Sequence, residues 1–289
     1  LYPKSDNAMI EVIDAGFFTT LQDEGRKGYR HLGVPLSGPM DPKAYELALA
    51  LLPCEEDFTM IECTLIGPTL RLHKAVRFVL TGGTIEAYLD EKPLEMFRVY
   101  NAQQGSLLRL GKVKKGIRAY VRFQAELSLK KYLGSTSFFS PITPANKMQK
   151  GEKIPFKAAP VLDRNPVHMR YDASYINAKE LAVLPGPDWV KLSQTDQEKL
   201  MCETYPVMGQ NRMGYRLKGN FTIDSKALLS QLVLPGRVQL TPSGELLIAT
   251  ADCQVTGGYL QILQLTAEAL ASLVQKREGE ALTFRNILD

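Results

Sequence analysis

Leu70–Leu89 reads LRLHKAVRFVLTGGTIEAYL. Apolar and β-branched residues come in runs of a few positions, too short for a helix and closed by residues that break strands. The stretch predicts three strands, Leu70–Leu72, Val76–Leu80 and Ile85–Leu89, each bounded by a turn. The same texture continues in both directions. Met9–Asp14 alternates weakly, and Arg98–Asn101, Ser106–Leu110, Ile117–Phe123, Glu180–Leu184, Val238–Leu240, Leu246–Ala251 and Leu260–Leu265 follow the pattern. Short strands punctuated by Gly, Pro and Asp point to β-barrels or sandwiches.

Helical signals are fewer. Asp41–Leu51 has an acidic cap and Pro42 at the first helical position. Ser193–Glu203 starts from a serine cap with acids in its first turn. Ala267–Gln275 places Leu270, Leu273 and Val274 on one side. Pro141–Pro166 holds five prolines and little periodicity, and reads as an irregular connector. The domain expectation is 9–140, a connector at 141–166, and 167–289. Leu1–Ala8 reads as an expression remnant, with Met9 as the native start. The halves share fragments in the same order: Lys27–Arg30 echoes Met213–Arg216, and Thr81-Gly82-Gly83 echoes Thr256-Gly257-Gly258. These echoes fit a duplicated β-barrel.

The chain has 289 residues, 45% apolar and 23% charged, with net charge +4, an ordinary balance for a globular protein. The densest basic stretch, Lys112, Lys114, Lys115 and Arg118, reads as a solvated strand end or turn and not as a nucleic-acid patch. No apolar run is long enough to span a membrane. Cys54, Cys63, Cys202 and Cys253 form no CxxC pair, which fits free thiols in the cytoplasm. The three histidines are far apart and no metal spacing occurs, so no metal is expected. There is no GxxxxGK[ST] loop, no GxGxxG after a strand, no GxSxG elbow and no biotin-attachment sequence. Chemistry with ATP or biotin would therefore need a site shared with a partner.

Three polar clusters remain. The first, Thr20–Asp41, is rich in Gly and Pro and runs into the capped helix. Arg26 or Arg30 could grip a carboxylate there, with His31 carrying a proton. Asp23 and Asp41 serve equally well as turn and helix caps. The second cluster is Gln210–Leu217. The third, Ala251–Tyr259, ends an apolar strand. Asp252 could orient an arginine or accept a proton, and Gln254 and Thr256 could hold an amide or carboxylate. A tight hairpin satisfying its own backbone accounts for the same residues. Cys253 has no histidine nearby in sequence to activate it as a nucleophile. Phe123, Phe138, Phe139 and Trp189 read as core or interface anchors.

These clusters resemble one family. Leu21–Asp41, Ala48–Leu51, Ile61-Glu62, Gly67–Leu70, Leu80–Gly83, Leu184–Pro187 with Trp189, Asn211–Leu217, Leu234–Gly236 and Ala251–Tyr259 are similar to motifs of the KipA/PxpC proteins, once called allophanate hydrolase subunit 2. The same module forms the carboxyltransferase part of urea carboxylase. The resemblance covers nearly all of Met9–Asn286. It implies a mainly β fold of two tandem cyclophilin-like β-barrels. It also implies a cytoplasmic complex with a KipI/PxpB-like subunit and a PxpA-like subunit that cleaves 5-oxoproline to glutamate with ATP. A urea carboxylase or allophanate hydrolase-like system using biotin, and a non-catalytic partner that antagonises a KipI-type kinase inhibitor, are its other expectations. Under the first, Arg26, Arg212 and backbone at Gly257-Gly258 would hold phosphate and carboxylate charge. Asp23, His31 and Asp252 would handle protons, and Ser37, Tyr215, Gln254, Thr256 and Tyr259 would complete the substrate site. The chain departs from the family at Phe123-Gln124-Ala125, where members commonly carry Gly-Gly, at Cys253, often Arg or Ala, and at Leu260, often Pro.

Overall fold

The computed structural model describes residues 8–54, 57–158, 173–222 and 229–288. It divides into two compact units, and the division is not sequential: residues 26–41 belong with the second unit, although the first unit flanks them on both sides in the chain. The proposed remnant lies outside the described residues except for Ala8. Ala8 is buried, and its carbonyl accepts the Phe156 N–H at 2.9 Å, so it belongs to the first sheet.

The first unit contains β1 (Met9–Asp14), β2 (Phe18–Gln22), α1 (Pro42–Leu51), β3 (Met60–Thr64), β4 (Thr69–Leu72), β5 (Val76–Leu89), β6 (Lys92–Pro93), β7 (Val99–Ala102), β8 (Leu107–Phe123), β9 (Ala125–Leu127) and β10 (Lys153–Ala158). Its sheet runs β2-β3-β8-β4-β1-β10-β9, with β5 lying along β8 and carrying β6 and β7. The sheet curls without closing. Its concave side buries Ile10, Val12, Leu70, Leu72, Phe78, Leu80, Leu108 and Val121. Helix α1 packs through Ala44, Tyr45 and Ala48 onto Val79 and Tyr120.

Two expectations fail here for one reason. The paired runs Val76–Leu80 with Ile85–Leu89, and Ser106–Leu110 with Ile117–Phe123, are not four strands. They are the single long strands β5 and β8, paired antiparallel from Phe78↔Phe123 to Leu89↔Leu108. Thr81-Gly82-Gly83 is a bulged stretch inside β5, where the register shifts between Gly82 and Thr84. Glycine supplies the φ of 84° that a bulge requires, so the break signal bends the strand without ending it. The connector is also not wholly irregular. Lys153–Ala158 pairs with β1 and β9, while residues 159–166 of it lie outside the described residues. The basic stretch lies within β8, with its three lysines exposed and Arg118 buried.

The second unit contains β11 (Glu180–Pro185), α2 (Gln194–Cys202), β12 (Tyr205–Gln210), β13 (Gly214–Leu217), β14 (Gln231–Leu232), β15 (Arg237–Leu240), β16 (Leu246–Ala249), β17 (Thr256–Gly257), β18 (Leu260–Leu265), α3 (Ala267–Leu273) and β19 (Ala281–Asn286). Seven strands close a barrel in the order β11-β18-β15-β16-β13-β12-β19, and β14 pairs with β17 apart from it. Closure is made by the parallel pairing of β11 with β19, from Glu180↔Thr283 to Val183↔Asn286. Leu181, Val183, Tyr215, Leu217, Val238, Leu240, Ile248, Ile262 and Phe284 fill the core. The expected serine cap holds α2, where Ser193 Oγ accepts from Asp196 N–H, and Thr266 Oγ1 caps α3 by accepting from Ala269 N–H. The architecture is the expected mainly β fold of two tandem cyclophilin-like units, one a curled half-barrel and one a closed barrel. The short sequence echoes do not mark equivalent places. Lys27–Arg30 is a loop around Gly28, whereas Gly214–Arg216 is barrel strand.

The bulge gives a paired test. Gly82 and Gly105 both have φ of 84°, but a β-carbon at Gly82 would lie 2.7 Å from the Arg118 carbonyl oxygen while one at Gly105 would meet nothing within 4 Å. Gly105→Ala costs about 1 kcal/mol from backbone strain alone. Gly82→Ala costs clearly more, and the difference is read from the urea unfolding midpoints of the two variants.

Candidate functional site

The polar stretches 26–41, 210–217 and 251–259 come together in the second unit, and one ion pair joins them. Arg212 Nε donates to Asp252 Oδ2 at 2.7 Å and Nη2 to Asp252 Oδ1 at 3.0 Å. The guanidinium fork matches the two carboxylate oxygens. Nη2 also donates to the Gly38 carbonyl at 2.7 Å. Both partners are more than nine-tenths buried. The backbone reinforces the junction. Asp252 N–H and Thr250 Oγ1 donate to the Arg212 carbonyl at 2.8 Å and 2.7 Å, and Ser37 N–H donates to the Ala251 carbonyl at 3.1 Å.

Local sequence sets this geometry. Asn211 Oδ1 accepts the N–H groups of Met213 and Gly214 at 2.8 Å and 3.1 Å, a turn that carries the chain from β12 to β13. Ser37 (φ 59°) and Gly38 (φ 85°) both take left-handed backbone, which presents the Gly38 carbonyl to Arg212. Ser37 Oγ is buried without a hydrogen-bond partner among the described residues. Arg30 Nη2 donates to the Val233 carbonyl, tying the first cluster to the segment before β15.

Residues flanking the ion pair line a pocket of about 380 Å³, within the range of small-molecule sites. Asn211 and Met213 come from either side of Arg212, Cys253 and Gln254 from beside Asp252, and Gln210, Arg216 and Gln239 from the barrel strands. The lining is mainly neutral: carboxamides, a thiol and apolar side chains. Burial pushes the Cys253 thiol up to about 11, with the Arg30 charge working the other way. That shift favours the protonated thiol over the nucleophilic thiolate.

The expected site residues separate. Arg212, Asp252, Gln254 and Gly257 gather around the pocket and its supporting pair. Thr256, Gly258 and Tyr259 lie on or beside β17, with Thr256 and Tyr259 exposed. His31 is exposed on the 3-10 turn Arg30–Leu32. Arg26 is fully buried, with its N–H donating to the Leu36 carbonyl at 2.7 Å. Tyr215 is a correction: it is fully buried among the barrel core residues, and its hydroxyl donates to the Lys276 carbonyl at 3.4 Å. It alternates inward because its neighbours Gly214 and Arg216 point outward. Asp23 belongs to the first unit, where Ser135 Oγ and Ser137 Oγ donate to Oδ1 and Thr136 N–H to Oδ2 at 2.8 Å. Burial opposes its charge, but these donors outweigh burial and hold the carboxyl below the ordinary range. A carboxylate so stabilised is a poor proton acceptor. Sequence reasoning passed over Gly209, Gln239 and Leu247, and gave Arg216 a place in the second cluster but no role of its own. The alternation of Arg237–Leu240, with Val238 and Leu240 inward, was the signal that placed Gln239 outward.

Removing one side of a buried pair leaves the other charge uncompensated. Arg212→Ala should therefore cost about 3–5 kcal/mol in denaturant unfolding, with the double variant Arg212→Met, Asp252→Leu costing less than either single change. Asp23 gives a pH signature. Its folded pKa lies below the unfolded value of about 3.9, so its contribution is complete above that value and fades as pH falls through the folded one. Asp23→Asn should lower stability at pH 7, and the gap to the parent should close in strong acid.

The family model described as carboxyltransferase domain, subdomain A and B, matches residues 32–286. The chain is 28% identical to the C subunit of 5-oxoprolinase from Escherichia coli K12, over 96% of its own length and 90% of that protein's. It is also 28% identical to the corresponding 5-oxoprolinase protein of Haemophilus influenzae, over 96% and 91%. It is 37% identical to the urea amidolyase of Lachancea kluyveri over 132 residues, which is 45% of this chain and 7% of that one. The structure of the K. lactis urea amidolyase matches with a TM-score of 0.87 at 24% identity, over 98% of this chain and 19% of that chain. The chain thus spans a small part of the urea amidolyases and nearly the whole of the two 5-oxoprolinase proteins. It belongs to the carboxyltransferase domain family, subdomains A and B.

Proposed function

We propose that this protein is one subunit of a cytoplasmic, ATP-dependent 5-oxoprolinase, and that with a KipI/PxpB-like and a PxpA-like partner it opens the lactam of 5-oxoproline to glutamate. The observation that carries the reading is the 28% identity to the E. coli 5-oxoprolinase protein, spread over 96% of the chain and 90% of that relative. A lactam resists water because its amide is resonance-stabilised, and ATP supplies the phosphoryl group that turns its oxygen into a leaving group. The pocket on this chain does not fit a triphosphate. Its charged side chain is Arg216, whose Nε already lies 3.9 Å from Glu245 Oε2. ATP is therefore assigned to the assembled complex. Arg212 and Asp252 neutralise each other and act by positioning. Gln254, Gly257 and Gly258 are the groups offered to substrate, with the backbone N–H groups supplying donors.

Carboxyl transfer from a biotin carried by a partner is the second reading, favoured by the 37% identity to a urea amidolyase over 132 residues. The deciding experiment mixes the chain with its KipI-like and PxpA-like partners, 5-oxoproline and ATP, and omits each component in turn. Glutamate should form only in the complete mixture. A KipI-like partner that co-purifies while no glutamate appears would remove the reading and leave a different amide substrate, carboxyl transfer or a regulatory role.

A further inference from the structure

The floor of the pocket is a single cross-strand row. Gly209 pairs with Arg216, Arg216 with Leu247, and Leu247 with Gln239, across β12, β13, β16 and β15. All four line the pocket, and the core residues Leu217, Leu246, Ile248, Val238 and Leu240 beside them in sequence point the other way. The row thus lies on the outer face of the barrel. It has a cation at one position, an aliphatic side chain next, and a carboxamide at its end. Arg216 and Gln239 are two strand spacings apart, about 10 Å between backbones, and both line the pocket.

Gln239 is the unusual member. It is 1% exposed, yet its Oε1 has no hydrogen-bond partner among the described residues. A buried acceptor without a donor costs free energy unless a ligand supplies one. The neighbouring backbone brings a second carboxamide close to it. At Gly257 a β-carbon would lie 2.9 Å from Gln239 Oε1, 3.1 Å from Gln254 Nε2 and 3.1 Å from Val233 Cγ2. The missing side chain at residue 257 therefore lets a carbonyl acceptor and an amide donor, from Gln239 and Gln254, pack close to the same backbone, and both residues line the pocket. A group carrying both an N–H and a C=O fills that pair of needs. At the other end of the floor, a β-carbon at Gly209 would meet nothing within 4 Å, so that position opens directly onto the pocket.

We propose that this row is the substrate-reading site: Gln239 and Gln254 take the N–H and C=O of a cyclic or secondary amide, and Arg216 takes a carboxylate on the same small molecule. The assignment deepens the oxoprolinase reading and rests on it for the identity of the amide acid. It makes Gln239, Gln254 and Arg216 specificity-determining residues and leaves the Arg212–Asp252 pair a supporting role.

The test uses the full chain alone and in the assembled complex. Calorimetry on the chain compares 5-oxoproline with proline, which lacks the lactam carbonyl, and with 2-pyrrolidinone, which lacks the carboxylate. Gly209→Leu starts from a β-carbon that meets nothing within 4 Å and adds bulk to the pocket, and Gln239→Leu removes an unpartnered polar atom, so both variants should fold. Each is expected to weaken 5-oxoproline binding tenfold or more and to raise its KM by a similar factor in the complex, with the KM for ATP unchanged. Arg216→Gln should abolish the preference for 5-oxoproline over 2-pyrrolidinone. If the parent complex makes glutamate and Gly209→Leu binds and turns over like it, the pocket assignment is overturned and the oxoprolinase reading stands. If no glutamate forms but the chain binds the amide acid and Gly209→Leu abolishes that binding, the pocket stands and the oxoprolinase reading fails. Absence of both binding and turnover overturns both.

Discussion

The second unit depends on a charge pair held away from water. Arg212 and Asp252 lie 40 residues apart in the chain, and neither would stay buried alone. Together they fix the turn after β12, the loop after β16 and, through the Gly38 carbonyl, the segment 26–41. A hydrophobic replacement of similar volume could hold these pieces with less desolvation, but it would not set their rotation and register so narrowly. Here the fork of the guanidinium aligns two loops so that Asn211, Met213, Cys253 and Gln254 face one pocket.

That arrangement separates holding from recognition. The charged residues that a sequence reading favours as chemical groups are committed to structure: Asp23 to three hydroxyl and N–H donors of the 135–137 segment, and Arg212 to Asp252. The pocket itself is lined by carboxamides, which carry donor and acceptor without the desolvation cost of a charge. For a neutral amide function these carboxamides are the complementary chemistry, and the one charged side chain of the lining, Arg216, lies near Glu245.

Much of the fold was legible because local rules and tertiary structure agreed. The serine cap of α2, Pro42 at the start of α1, the alternating run Met9–Asp14 and the short apolar run Leu260–Leu265 all stand where pattern places them. The failures have separate local causes. Met60–Thr64 is nearly all buried, so it has no alternation to read. Gly214–Leu217 was hidden by its polar surroundings. Glycine pairs are ambiguous between a turn and a bulge, and only the partner strand decides, as at Gly82-Gly83. Of the site, the three clusters were visible as polar, glycine-rich breaks. That Asp252 could orient an arginine was visible too, but the pairing with Arg212 and the row Gly209–Arg216–Leu247–Gln239 are cross-strand facts set by register.

The parallel contact of β11 with β19 carries a consequence for how the protein is made. A chain leaves the ribosome from its N-terminus at about 5–20 residues per second. The segment 26–41 and strand β11 are thus exposed well before Ala281–Asn286 exists to join the barrel. Until then β11 and β12 present open edges, the kind of surface that recruits other strands. The first unit can complete its sheet in that interval, and the second must wait for its last strand. A cell producing this protein therefore carries, for several seconds per molecule, a half-built barrel attached to a folded neighbour. Chaperone demand should track the second unit.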